Sequence, residues 1–169
     1  LHVQAMRRQH GHRWISAMPT NLYGPNDNYH PENSHVLAAL IRKFHEAVIS
    51  AADEVEIWGS GTPLREFLHV DDLASAVEFL LLNYDDGETI NIGSGQEVSI
   101  QDLAGIISQV VGFGGILRNN TEKPNGTPRK MLDSSRLTAL GWQPSWSLTE
   151  GIADAYEWFV NNEASLRSV

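Results

Sequence analysis

The sequence predicts an α/β fold, and three features carry that assignment. Short runs of strand composition alternate with longer segments whose apolar residues recur at helical spacing. Capping residues stand at the ends of several helical segments, with Ser147-Leu148-Thr149-Glu150 reading as a capping box. Turns rich in Gly, Pro and Asn separate the two kinds of segment. With 169 residues, 41% of them hydrophobic, the chain has the means to bury one sizeable core, which suits one domain or part of a two-domain protein.

Leu1 to Gln9 reads as helix, closed by Gly11 in the left-handed position. No capping residue precedes Leu1 and the chain does not open on Met, so the expectation is a fragment of a longer protein. Trp14 to Met18 has strand composition, ended by Pro19, and a loop of Asn, Gly, Pro and His follows. Leu37, Leu40, Ile41, Phe44 and Val48 then place a helix of about 14 residues from Val36, with Asn33 and Ser34 as candidate caps. Val55 to Trp58 and Glu66 to Val70 read as strands around the turn Gly59 to Pro63.

Asp71 and Asp72 suit the positive end of the next helix, whose stripe is Leu73, Ala76, Val77, Leu80 and Leu81. Thr89 to Ile92 is a strand, expected to pair in parallel with Trp14 to Met18. Ser99 caps a helix lined by Ile100, Leu103, Ile106, Ile107 and Val110, which Gly112 ends. The following stretch reads as mostly loop, then a short helix over Ser134 to Leu140 closed by Gly141. The last helix opens at the capping box and carries Leu148, Ile152, Tyr156, Phe159 and Val160 on one stripe.

Several chemistries are disfavoured. A net charge of -9 argues against a nucleic-acid surface, since phosphate backbones are bound by clustered Lys and Arg. There is no Cys, hence no disulfide or thiolate. No apolar run nears the roughly 18 residues of a membrane span and no signal peptide is legible, so a soluble cytoplasmic protein is expected. His10-Gly11-His12 is weak metal-ligand spacing, and no metal is expected. Gly93-Ser94-Gly95 follows a strand, but Val98 stands where a dinucleotide loop needs its third glycine, so it reads as a plain turn. None of the four tyrosines has a lysine four residues on, and no serine sits in a nucleophile elbow.

Met18-Pro19-Thr20-Asn21-Leu22-Tyr23-Gly24-Pro25, Trp58-Gly59-Ser60-Gly61-Thr62-Pro63-Leu64-Arg65-Glu66-Phe67-Leu68-His69-Val70-Asp71-Asp72 and Gly126-Thr127-Pro128-Arg129-Lys130, together with Asn33-Ser34-His35-Val36, resemble the GDP-L-fucose synthases. These are extended short-chain dehydrogenase/reductases, and the likeness runs from about Gln9 to Phe159. It implies a two-domain enzyme that epimerises C3 and C5 of GDP-4-keto-6-deoxymannose and reduces C4 with NADPH. This chain resembles its C-terminal, substrate-binding part: residues 1-34 would end the dinucleotide-binding domain and 35-169 form the substrate domain, with 89-113 packing back on the Rossmann sheet. The Ser, Tyr, Lys and Cys of the reaction and the glycine-rich phosphate turn would lie before Leu1, leaving this chain inactive alone. A homodimer is implied for the full-length protein, and self-association through the unpaired edge at Trp14 to Met18 for the fragment.

The resemblance assigns His35 as general acid, whose imidazole titrates near neutrality; the alternative is a helix-start His bonded to backbone. Arg65 is a diphosphate ligand by its planar fork, or else a partner of Glu66 or Asp71. Trp58 lines the nucleotide side, or is a core residue. Pro19, Thr20, Asn21 and Leu22, with His35, match the stretch at the nicotinamide end of NADP, turn duty being the alternative for Pro19 and Thr20. Lys43 stands where an arginine is expected, with Arg42 expected to face elsewhere, and Asn125 stands where an aspartate is expected. Lys123, Arg129 and Lys130 form a basic loop, a phosphate-side candidate or simply a solvated one. Another nucleotide-sugar epimerase or dehydratase, or a stand-alone nucleotide-sugar-binding module, remains the competing reading.

Overall fold

Apolar spacing and caps set the helices in the computed structural model, which describes residues 1–31 and 33–166, the side chain of Ser165 excepted. Residues 167–169, the end of the expected 35-169 domain, lie outside the described residues. Helix α1 (His2–His10) closes on Gly11 at φ 66, whose N–H bonds to the Arg7 carbonyl. It buries none of its residues and is tethered by its polar face, Arg7 pairing with Asp85 at 2.7 Å. Strand β1 (Ser16–Pro19) follows and pairs in parallel with β5 (Thr89–Ile92), as the sequence predicts. Strand β2 (Asn21–Tyr23) lies parallel to β4 (Leu64–His69), which also pairs antiparallel with β6 (Glu97–Ser99) and parallel with β8 (Arg129–Lys130). A third pair is β3 (Glu54–Trp58) with β7 (Ile116–Asn120), parallel.

Two apolar cores support these strands. The larger gathers Leu37, Ile41 and Phe44 of α2 (Val36–Ile49), Leu103 and Ile107 of α4 (Ile100–Val111), and Ile152 and Phe159 of α6 (Leu148–Asn162) against Val55 and Ile57 of β3. The smaller packs Ala76 and Leu80 of α3 (Val70–Asn83) and Leu137 of α5 (Ser135–Ala139) against Leu68, Ile90 and Ile92. Strand β5 thus joins β1, while α4 packs on α2 and α6.

Several expectations need correction, among them the loop expected after Pro19, which holds β2, and Val48, which is exposed near the end of α2. Residue His35, at φ -71 and ψ 158, takes the N-cap position of α2 without a side-chain cap bond. Asn33 is drawn into the preceding loop, its N–H donating to His30 Nδ1 and its carbonyl accepting from Asn28, so neither Asn33 nor Ser34 caps. On α3, Val77 and Leu81 face solvent and the buried row is Asp72, Ala76, Leu80. The Asp72 carboxylate turns the helix by accepting from the Ser145 N–H and hydroxyl and from the Trp146 N–H. Val160 of α6 is likewise exposed. The stretch after Gly115 holds two strands instead of being mostly loop: β7 has little apolar signal, and its ladder with β3 is reinforced by Arg118 on Glu54 and Asn120 on Glu56.

Candidate substrate site

Strand β4 places the candidate groups. Its Arg65 lies in register with Lys130 of β8, so two cations sit side by side on neighbouring strands. The Arg65 guanidinium donates to the Leu64 carbonyl at 2.8 Å, engaging neither Glu66 nor Asp71. Lys130 Nζ stands 3.5 Å from Asn21 Oδ1, and the Asn21 amide donates to the Glu66 carbonyl at 2.7 Å. Thr20 N–H donates to the Ile92 carbonyl and its hydroxyl approaches the Glu66 carbonyl, while Pro19 ends β1 and Leu22 packs on the smaller core. Pro19 to Leu22 thus run from β1 into β2 beside β4.

Between α2 and β3 lies a hollow of about 370 Å³ with an apolar floor that includes Leu40, Ile57 and Ile100 and a rim that includes Ser34, Arg42, Lys43 and Trp58. The indole of Trp58 is 60% exposed, which rules out the core reading. Lys43 Nζ lies 6.0 Å and Lys123 Nζ 5.2 Å from its ring centre, within cation–π range. Lys43 also donates to the Glu56 carbonyl at 2.7 Å. Arg42, expected to face elsewhere, shares this rim because adjacent helical positions both border a wide opening, but it is spent on Glu46 and the Tyr29 carbonyl. His35 is exposed at the start of α2, between Ser34 and Val36, which line the hollow. Asp27 is close enough to feel it: burial raises the Asp27 pKa, opposed by the Asn28 N–H bonded to its carboxyl and by the charge of His35.

Arg65, Asn125 and Lys130 lie outside this hollow, and one loop joins the two groups. Residues 121–128 carry Lys123 over Trp58, then Asn125, whose Oδ1 accepts from the Ser60 N–H at 2.7 Å and hydroxyl at 3.0 Å, then Gly126 beside Arg65. Of the basic loop expected from sequence, Arg129 is neutralised by Glu97 through two bonds of 2.7 Å, which leaves Lys123 and Lys130 as its cations toward a ligand.

Sequence reading passed over the buried polar groups behind the site. Glu66 is fully buried, and its carboxylate accepts from the Gly95 N–H at 2.8 Å and the Leu132 N–H at 3.1 Å. His69, also buried, meets Asp154 at 3.2 Å and stacks on Trp146, while burial near Asp72 and Asp154 pushes the Tyr23 hydroxyl well up. Alternation marks such positions as inward but not which distant groups will receive them. For a dinucleotide, the fit is partial. The Gly93-Ser94-Gly95 turn commits its Gly95 amide inward to Glu66, where a phosphate cradle would need that amide to face outward. Among the described residues there is no group of three His, Cys, Asp or Glu that would hold a metal ion, and no helix long and apolar enough to cross a membrane.

A mixed α/β chain with these strand pairings and a cationic, aromatic-rimmed groove defines a class, and comparison with known proteins identifies it. The chain belongs to the NAD dependent epimerase/dehydratase family, whose model matches residues 1–93. Within it, the chain is 60% identical over 159 residues to GDP-L-fucose synthase 1 of Arabidopsis thaliana, covering 94% of this chain and 49% of that protein. It is 47% identical to the GDP-L-fucose synthase of Escherichia coli (strain K12), covering 97% and 54%. A solved GDP-L-fucose synthetase from Naegleria fowleri, bound to NADP, superposes with a TM-score of 0.85 at 30% identity, over 91% of this chain and 49% of that one. The chain therefore spans about half the length of the curated relatives it matches.

Proposed function

We propose that this chain is the substrate-binding part of an NADP-dependent GDP-L-fucose synthase, which takes GDP-4-keto-6-deoxymannose. The observation that carries the reading is the exposed Trp58 indole with two lysine ammoniums within 6.0 Å of its ring centre, linked by the 121–128 loop to the Arg65–Lys130 pair in a chain of net charge -9. An aromatic face with two cations, and a second cation pair at the far end of the linking loop, suits a planar base carrying a diphosphate. Lys43 and Lys123 would flank the base or sugar at Trp58, Arg65 and Lys130 would meet diphosphate oxygens, and Asn125 would offer its free amide hydrogens. His35, whose chain neighbours Ser34 and Val36 line the hollow, is the proton donor to carbon in this reading.

NADP, when bound to the whole protein, supplies the hydride; here only Pro19, Thr20, Asn21, Leu22 and His35 would border its nicotinamide end. Residues 1-34 then close the dinucleotide-binding domain and 35-169 carry the substrate. A cytoplasmic homodimer is the whole-protein state that the reading adopts from the resemblance. The test is calorimetry of this chain with GDP: weak binding, reduced but still measurable in Lys130→Ala, is expected, and no heat at millimolar GDP would refute the assignment. In the whole protein, His35→Gln should slow solvent-proton exchange at C3 and C5 far more than it weakens NADP binding.

A further inference from the structure

Glu66 is a carboxylate with no exposure at all, next to Arg65 on β4, and its oxygens bond to backbone N–H groups rather than to Arg65 or Lys130. Its carboxylate oxygens are divided between two segments. Oε1 accepts the Gly95 N–H at 2.8 Å in the β5–β6 turn, and Oε2 accepts the Leu132 N–H at 3.1 Å, two residues beyond Lys130. Its own carbonyl receives the Asn21 amide at 2.7 Å, and Asn21 Oδ1 is the group 3.5 Å from Lys130 Nζ. The site at Gly93 is shaped around it, since a Cβ there would fall 2.9 Å from the carboxyl carbon of Glu66. Strand β8 has only two residues, both exposed, so its ladder bonds alone are a weak hold on a lysine.

We propose that Glu66 is a positioning residue: its buried carboxylate clamps the segment after β8 and so fixes Lys130 beside Arg65 for an anionic ligand. This rests on the reading of the groove as a diphosphate site. A buried carboxylate costs free energy unless satisfied, and backbone N–H groups from two separate segments satisfy it only while both segments stay in place. Glu66→Gln keeps the shape but turns an NH2 donor toward one of those N–H groups, so one clamp is lost whichever way the amide lies.

The experiment uses the 169-residue chain and two readouts, GDP affinity by calorimetry and the rate of tryptic cleavage after Arg129 and Lys130. Glu66→Gln is expected to raise that cleavage rate and to weaken GDP about tenfold, as loss of one charge-assisted hydrogen bond would. Combined with Lys130→Ala it should weaken GDP no further than Lys130→Ala alone, because both act through one ammonium. Additive losses, or unchanged cleavage in Glu66→Gln, overturn the proposal. Should Glu66→Gln not fold, Gly93→Ala, which displaces the carboxylate without removing it, must reproduce the faster cleavage or the clamp is refuted. If Lys130→Ala leaves GDP binding intact, the diphosphate reading falls while the cleavage rates still decide the clamp.

Discussion

An indole left 60% in solvent at the end of a strand, with two ammoniums over it, contributes little to folding. Trp58→Ala is therefore expected to change unfolding free energy by less than about 0.5 kcal/mol while abolishing the heat of GDP binding. A large drop in Tm would instead mean that Trp58 packs inward. Asn125 behaves in the opposite way. Its Oδ1 is committed to two donors on Ser60, so Asn125→Ala should cost about 1 kcal/mol in urea unfolding and loosen the 121–128 loop. Asn125→Asp, which keeps the acceptor, should cost much less. The residue type at position 125 was legible as a hydrogen-bonding group; that its oxygen closes onto a turn 65 residues away was not, because no local pattern encodes that meeting.

Among the elements, those with a cap or a clear apolar period of their own were legible, as uncapped α2 shows, and strands lacking both were not. The capping box of α6 forms as predicted, with Ser147 accepting from the Glu150 N–H and Glu150 reaching back to the Ser147 N–H and hydroxyl. Ser99 of α4 and Gly11 after α1 likewise do what their residue types favour. Strand β7 and the two-residue β8 exist because partners receive them, β3 in one case and β4 in the other, so sequence alone returned loop. Ser147→Ala should cost about 1 kcal/mol at neutral pH by thermal or urea unfolding. Hydrogen bonds from the Ser147 hydroxyl and N–H hold the Glu150 carboxyl below the usual glutamate range. A depressed folded pKa means that the Glu150 contribution is complete above the ordinary value and is lost as pH falls through the folded one. The penalty of Ser147→Ala should accordingly shrink at strongly acidic pH, and a pH-independent penalty would show that the Glu150 arm of the box is idle.

Across the whole molecule, cohesion is uneven in a way that separates scaffold from periphery. The core of α2, α4 and α6 against β3 holds fully buried Ile41, Phe44, Leu103, Ile107 and Ile152, and α2 and β3 form the two walls of the Trp58 hollow. At the other side, α1 buries nothing and is held through Arg7 to Asp85, which also takes Arg13 just beyond the helix, while β1 leaves Met18 more than half exposed and finds its ladder partner in β5. Hydrogen bonds to Asp85 lie at the surface, where such pairs hold only weakly and salt screens them. Amide exchange should follow this division: slowest in α2, α4 and α6, where opening requires breaking the main core, and fastest in α1 and β1, where it requires parting only solvent-exposed bonds. Added salt should speed exchange in α1 and leave α4 unaffected. Equal protection throughout would mean that the two ends of the chain unfold as one unit, and that the β1–β5 pair draws its stability from the main core through contacts stronger than its surface ties.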